Sequence, residues 1–386
     1  MVKKIGLQNI DYSKVVDHGT NPSFYRQLSP KIIQYIENNE SVSFQEIIKY
    51  VGGGERRIIR LLDQMVQKKM LIYQSSRFHL SKQKGKCPYA ISDIRCPACD
   101  SKIVYIDGKM KALLEFMNNV VRARPKSTFI FDQRPVNPET IVRRVAYAIW
   151  RGDLQNKKIV LLGDDDLTSI AIAKTGMAKE IVVFDIDTRI TDLIKSISEK
   201  YNFKIQTVKY DLLRDIPNRY TNYFDTFITD PTPTVKPLSL FTIRGLEMLQ
   251  KQPGKAGYIS LYPSHMELDI DFQKNLSEMN LLITDQIPFF NQYEIVYHTL
   301  TPADIELMKK YGAYKKSISF YEYLMRIETT DTSRLIDLRL SSADLMGKAT
   351  LKALKDPMSD PVLSQKNVPI SIKKAVDNLK RNSRII

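Results

Sequence analysis

Apolar residues recur at helical spacing through the first 80 positions, and after residue 157 they contract into short runs separated by helical stretches. In the first region FYRQLSPKIIQYIEN, SFQEIIKYV and RRIIRLLDQMVQKKM each predict an amphipathic helix. Ser43 is placed as N-cap of the second, and the turn Gly52 to Glu55 leads into the third. LIYQSSRFHLS then predicts two short strands around a polar turn. Helix, helix, turn, helix and hairpin is a winged-helix pattern, in which Arg56, Arg57 and Arg60 at the start of the third helix would suit a DNA major groove. Residues 111–150 read as mostly helical, broken by ARPKSTFIFDQRPVNPET, with Asn137 as N-cap and Pro138 at the first helical position of the next helix.

From residue 157 the pattern alternates. KIVLLG, EIVVFD, FKIQTVKYD and DTFITD are short buried strands with helices between them, and AGYISLYP, LLITDQIP and SISFYEYLMRIETT continue the sheet. Such alternation predicts an α/β, doubly wound parallel sheet of the Rossmann-like methyltransferase and spermidine-synthase type. The last strand follows a long insert and is expected to be an antiparallel edge strand. The domains expected are 1–80, winged-helix-like; 81–125, a cysteine-containing connector; 126–335, Rossmann-like; and 336–386, a basic C-terminal tail.

The chemistry lies at the strand ends. In an open α/β sheet the ligand sits outside the carboxyl ends of the strands. The first strand runs into Gly163 and then Asp164, Asp165 and Asp166, where a phosphate-binding loop would carry more glycines. The second ends at Asp185 with Asp187 two residues on, the third at Asp211, and the fourth at Asp230. Asp185 occupies the place of a carboxylate that bridges ribose hydroxyls. Asp211 is positioned to accept an adenine amino N–H, while Gly163, the triad of acids, Asp187 and Asp230 surround the rest of the ligand. Carboxylates so close attract cations and raise one another's pKa, so that one can accept a proton near neutral pH. NAD, FAD or metal-free ATP fit such a loop badly. An adenosine sulfonium fits, and decarboxylated S-adenosylmethionine fits better than S-adenosylmethionine, whose arm carries a carboxylate.

Composition changes this picture only at its margins. The net charge of +15 hints at a polyanionic partner such as nucleic acid, but a lysine-rich solvated surface of a thermophile is the favoured account. No apolar run is long enough to span a membrane, and the start MVKKIGLQNIDYSK lacks an apolar signal core, so a cytoplasmic location is expected. Cys96 and Cys99 form C-x-x-C, half a zinc site, which Cys87 and His79 would complete; free buried cysteines are the alternative.

LLGDDDLTSIA, VFDID and FDTFITDP, with FDQRPVNPETIVRRVA and a C-x-x-C upstream, resemble the branched-chain polyamine synthases, the N4-bis(aminopropyl)spermidine synthases of thermophiles. The resemblance covers roughly 20–330 and is densest at 129–235. It implies an aminopropyltransferase that uses decarboxylated S-adenosylmethionine as co-substrate and a polyamine as acceptor, with no catalytic metal. It also implies a homodimer, a catalytic carboxylate at Asp165 with Asp164 and Asp166 beside it, and acceptor contacts from Asp132, Gln133, Pro231 and Thr232. The chain departs from the family at Asp230-Pro231-Thr232-Pro233, where a second proline usually follows the first, and in SLYPSHMELDID and FFNQYEIVYHTLTPADIELMKKYG. The competing reading is an S-adenosylmethionine-dependent nucleic-acid methyltransferase, with TDPTP gripping an amino nitrogen. A DNA-binding regulator and a Mg²⁺ site in GDDD are further alternatives.

Overall fold

The computed structural model describes residues 7–15, 23–51, 55–82, 96–128, 131, 133–261, 266–294, 301–314 and 319–338. In chain order, the N-terminal part holds α1 (Ser23–Asn39), β1 (Ser41–Val42), α2 (Phe44–Val51), α3 (Glu55–Gln67), β2 (Leu71–Gln74) and β3 (Arg77–Leu80). There follow α4 (Gly108–Val120), α5 (Pro138–Trp150), β4 (Lys158–Leu162), α6 (Thr168–Thr175), β5 (Glu180–Asp185), α7 (Thr188–Tyr201) and β6 (Ile205–Lys209). The chain continues through β7 (Thr226–Thr229), α8 (Val235–Met248), β8 (Ala256–Leu261), α9 (Met266–Glu278), β9 (Leu281–Glu294), α10 (Pro302–Lys310) and β10 (Ser319–Thr329). The expected tail lies almost wholly outside the described residues. Among the described residues no helix is long and apolar enough to cross a membrane.

The chain divides into two compact units. One comprises Met1–Ser101, Tyr262–Glu267 and Pro288–Tyr323; the other comprises Lys102–Leu261, Leu268–Ile287 and Leu324–Ile386. In the first, β1, β3 and β2 form a three-stranded sheet in that order. The expected cap of α2 is a reciprocal one: Glu46 N–H donates to Ser43 Oγ (3.3 Å) and Ser43 N–H to the Glu46 carboxylate (2.7 Å), so helix-end donors are satisfied in both directions. Part of the long insert before the last strand belongs to this unit, whereas the sequence boundary placed it in 126–335. Charged contacts join it to α3. Arg60 on α3 grips the fully buried Asp304 of α10 with two parallel bonds of 2.6 and 2.9 Å. Asp63, one turn on, accepts from Lys310 (2.8 Å) and the Tyr311 hydroxyl (2.7 Å). Arg60 is therefore committed to holding α10 and does not offer the free guanidinium that groove reading would use.

The second unit is built on the seven-stranded sheet, ordered β6-β5-β4-β7-β8-β10-β9. The pairs β4–β5, β5–β6, β4–β7 and β7–β8 are parallel, with Leu162 opposite both Phe184 and Thr229. Their carboxyl ends therefore reach one edge together, and the order reverses between β4 and β7, which is where such sheets bind ligands. The central strands are apolar because helices cover both faces. Phe227 of β7 fills the space beside two glycines: a Cβ on Gly257 would lie 2.4 Å from its ring and one on Gly245 2.6 Å away. The last strand is not the edge strand expected. β10 lies between β8 and β9, and nine of its eleven residues are buried, as a strand with neighbours on both sides requires. The edge falls to β9, which leaves Leu282 and Ile283 exposed.

β10 is also tied to the opposite end of the sheet by charge. Arg326 donates through Nε (2.8 Å) and Nη2 (3.0 Å) to Asp153, and the Tyr258 hydroxyl bonds the same carboxylate. Arg326 and Asp153 are both buried, so removing one partner strands the other charge. Arg326→Leu is expected to cost about 3–5 kcal/mol, read as a fall in the urea unfolding midpoint. An unchanged midpoint would show that the pair holds nothing.

Candidate active site

The loop after β4 is shaped by two left-handed residues. Gly163, at φ +75°, turns the chain out of the strand, and Leu167, at φ +64°, starts α6. A leucine in that region is strained. It is held by complete burial and by its N–H bond to Asp164 O at 2.9 Å. Between these two residues the three aspartates take different tasks. Asp164 turns into the helix end and accepts N–H bonds from Thr168 (2.7 Å) and Ser169 (3.1 Å), filling donors that the first turn of a helix leaves open. Asp166 accepts the Val136 N–H (2.7 Å) and an Arg144 Nη1 bond (2.5 Å). Asp165 has one carboxylate oxygen, Oδ2, that is buried with no hydrogen-bond partner.

Asp230, at the end of β7, meets the same Arg144 at 2.6 Å, and Arg144 also reaches Ser260 of β8 at 2.9 Å. Asp185, at the end of β5, accepts backbone N–H bonds from Asp164 (3.0 Å) and Asp187 (2.8 Å). Gly163, Asp164, Asp165, Asp166, Asp185 and Asp230 are thus one connected group. Burial pushes Asp164 well above the ordinary carboxylate range, against the N–H bonds it accepts. Burial also raises Asp165 strongly; Asp166, Asp185 and Asp230 add to it, and Arg124 opposes it. Asp185 is raised to about 6, chiefly by burial.

The other candidates have further partners or positions of their own. Asp187 caps α7 through the Arg189 N–H (3.0 Å) and pairs with its guanidinium at 2.6 Å. Gln133 donates to Asp187 (2.9 Å) and accepts from Thr128 N–H (3.1 Å) and Arg189 (3.2 Å), so its amide serves the scaffold. Asp211 accepts the Leu213 N–H at 3.0 Å in a turn of its own. Pro231 is buried and Thr232 half-buried just after Asp230. Asp132 lies outside the described residues. Of the zinc candidates, His79 sits on β3, Cys96 is exposed and Cys99 half-buried, both as free thiols, and Cys87 lies outside the described residues. The N–H groups of Cys99 and Ala98 hold the Cys96 thiol below its ordinary pKa. Among the described residues no three His, Cys, Asp or Glu side chains are grouped to hold a metal ion.

Arg144 escaped the sequence reading, although a signal existed. It lies three residues after Ile141 and four before Ala148, both buried, so a charge falls on the apolar stripe of α5. An arginine there needs buried acid partners.

A doubly wound sheet with this order and with acid at its ligand-binding edge defines a Rossmann-like enzyme of the methyltransferase and aminopropyltransferase type. A family model, the branched-chain polyamine synthase A C-terminal domain, matches residues 112–349, and the chain belongs to the branched-chain polyamine synthase family. It is 38% identical over 254 residues to the N(4)-bis(aminopropyl)spermidine synthase of Thermococcus kodakarensis, spanning 63% of this chain and 70% of that protein. A protein of the same name from Methanocaldococcus jannaschii is 38% identical over 62% of this chain and 69% of its own length. The crystal structure of the branched-chain polyamine synthase from Thermus thermophilus, in complex with N4-aminopropylspermidine and 5'-methylthioadenosine, superposes with a TM-score of 0.68 at 25% identity, covering 82% of this chain and 92% of that one.

The raised carboxyl of Asp185 makes a prediction with a definite sign. Its folded-state pKa of about 6 exceeds the unfolded value, ~3.9. The stability it contributes is therefore present below the unfolded value and lost as pH rises through about 6. The carboxyl carbon of Asp185 is expected to titrate with a midpoint near 6 by NMR. A midpoint in the ordinary carboxylate range would contradict its burial.

Proposed function

We propose that this protein transfers aminopropyl groups from decarboxylated S-adenosylmethionine to the N4 amine of spermidine, releasing 5'-methylthioadenosine and building N4-bis(aminopropyl)spermidine. The observation that carries the reading is the buried, unpartnered Oδ2 of Asp165 among carboxylates already engaged elsewhere. Family membership supports the same chemistry, and the Thermus thermophilus relative was crystallised with a branched polyamine and methylthioadenosine.

In the reaction the nitrogen lone pair attacks the carbon bound to the sulfonium sulfur. A C–N bond forms, the C–S bond breaks, and its electron pair makes sulfur a neutral thioether. The acceptor must be unprotonated at attack, although free amines of this kind have a pKa near that of lysine, ~10.4. Asp165 accepts the proton of the bound amine; its raised pKa brings its proton affinity closer to the task. A first transfer to the secondary amine gives a tertiary amine once the proton has left. A second gives a quaternary ammonium, with no N–H remaining, so deprotonation must then precede attack. Asp185 accepts the ribose hydroxyls of the donor from the end of β5, and Asp211 lies on the adenine side. Asp164 and Asp166 support the loop, Pro231 and Thr232 lie toward the acceptor, and Asp132 is assigned to the acceptor by the family resemblance alone. The methyltransferase reading is less well supported, because the acid of TDPTP, Asp230, is held by Arg144.

The test is mass spectrometry after incubation with decarboxylated S-adenosylmethionine and spermidine. Masses higher by one and two aminopropyl groups are expected, with fragmentation placing both on N4. No such product, together with methyl transfer to RNA from S-adenosylmethionine, would overturn the reading. Asp165→Asn is expected to keep methylthioadenosine binding and to lower turnover by ~10²–10⁴-fold. Near-wild-type turnover would remove Asp165 as proton acceptor.

A further inference from the structure

Arg144 lies on α5, away from the acidic loop in sequence, yet its guanidinium ends among the acids. Its side chain is 5% exposed. It bonds Asp166 after β4 at 2.5 Å, Asp230 after β7 at 2.6 Å and Ser260 of β8 at 2.9 Å. Those strands are consecutive in the sheet, so one side chain spans three neighbouring strand ends. A guanidinium stays charged, has only donors and presents them in a rigid fork. It can therefore serve two carboxylates at once without taking a proton from the reaction. A polyamine brings several ammonium groups to this edge, and each open carboxylate is a place where the acceptor could settle wrongly. Asp164 is occupied by a helix end and Asp185 by two N–H groups.

We propose that Arg144 is the positioning residue that withdraws Asp166 and Asp230 from the ligand and so leaves Asp165 as the carboxylate open to the reacting amine. This rests on the aminopropyl transfer proposed above. The charged groups acting on Asp165 are Asp166 on its own loop, Asp185 at β5, Asp230 at β7 and Arg124 in the segment after α4. Without Arg144, Asp166 and Asp230 lose their counter-charge. They then act on Asp165 with less compensation and compete for the ammonium groups.

The experiment compares wild type, Arg144→Met and Arg144→Lys in three readouts: kcat and KM for spermidine, the pH midpoint of the acid limb of kcat, and the Kd for methylthioadenosine. Arg144→Met is expected to lower kcat by about 10²-fold, the scale of a small misplacement of reacting groups. Its acid limb should move to higher pH, because a base of raised pKa ionises later, while the Kd changes less than about 3-fold, under one factor of ten. Arg144→Lys restores the charge but not the fork, so its midpoint should return toward wild type while kcat stays low. An unmoved midpoint, with kcat and methylthioadenosine affinity lost in parallel, would overturn the proposal and leave Arg144 a structural residue. Wild-type kinetics in both variants would overturn it as well. Should Arg144→Met fail to fold, Asp230→Asn decides: removing that charge lowers the midpoint if Asp230 acts on Asp165, and an unmoved midpoint refutes the idea. Wild-type protein that makes no aminopropyl product would instead sink the functional reading itself, and the proposal with it.

Discussion

Carboxylates crowded into partly dry surroundings cannot all be ionised unless something answers their charge. At the ligand-binding edge of this sheet Asp164, Asp165, Asp166, Asp185 and Asp230 converge, and each of the others has its own answer. Asp164 uses the start of α6, Asp185 two backbone N–H groups, and Asp166 and Asp230 the buried Arg144. Asp165 keeps an oxygen without a hydrogen bond. The rest of the edge depends on that distribution, because it leaves one acid of a run of similar residues with an unbonded buried oxygen.

Charged and polar groups elsewhere are engaged in the same way. Asp187 pairs with Arg189, and Gln133 bonds Asp187, Arg189 and Thr128. In the first unit Arg60 and Asp63 of α3 are committed to α10. An excess of basic residues in composition is thus a poor guide to partners, since some of the most suggestive cations are already neutralised inside the fold. The enzyme class follows from the family match and the named relatives.

The family match begins at residue 112 and so takes in α5, the acidic loop and the strand ends together. Those are the elements that Arg144 joins. The insert between β9 and β10, where the family pattern was weak, contributes to the first compact unit through Asp304 and Lys310.

The sequence by itself determined the doubly wound sheet, since apolar runs of strand length alternating with helices admit little else. It also determined the cap of α2 by Ser43, the start of α5 at Asn137 and Pro138, and the presence of acid after the first four strands of the large sheet, all of which are local or set by period. Only the tertiary structure decided which acid keeps an unbonded oxygen. That depends on a guanidinium more than twenty residues away from Asp166 and eighty-six from Asp230, and pairings at such separations leave no periodic trace. It likewise decided the place of β10, because alternation in a short segment reports local exposure, whereas the neighbour of a strand is chosen by which surfaces remain to be buried.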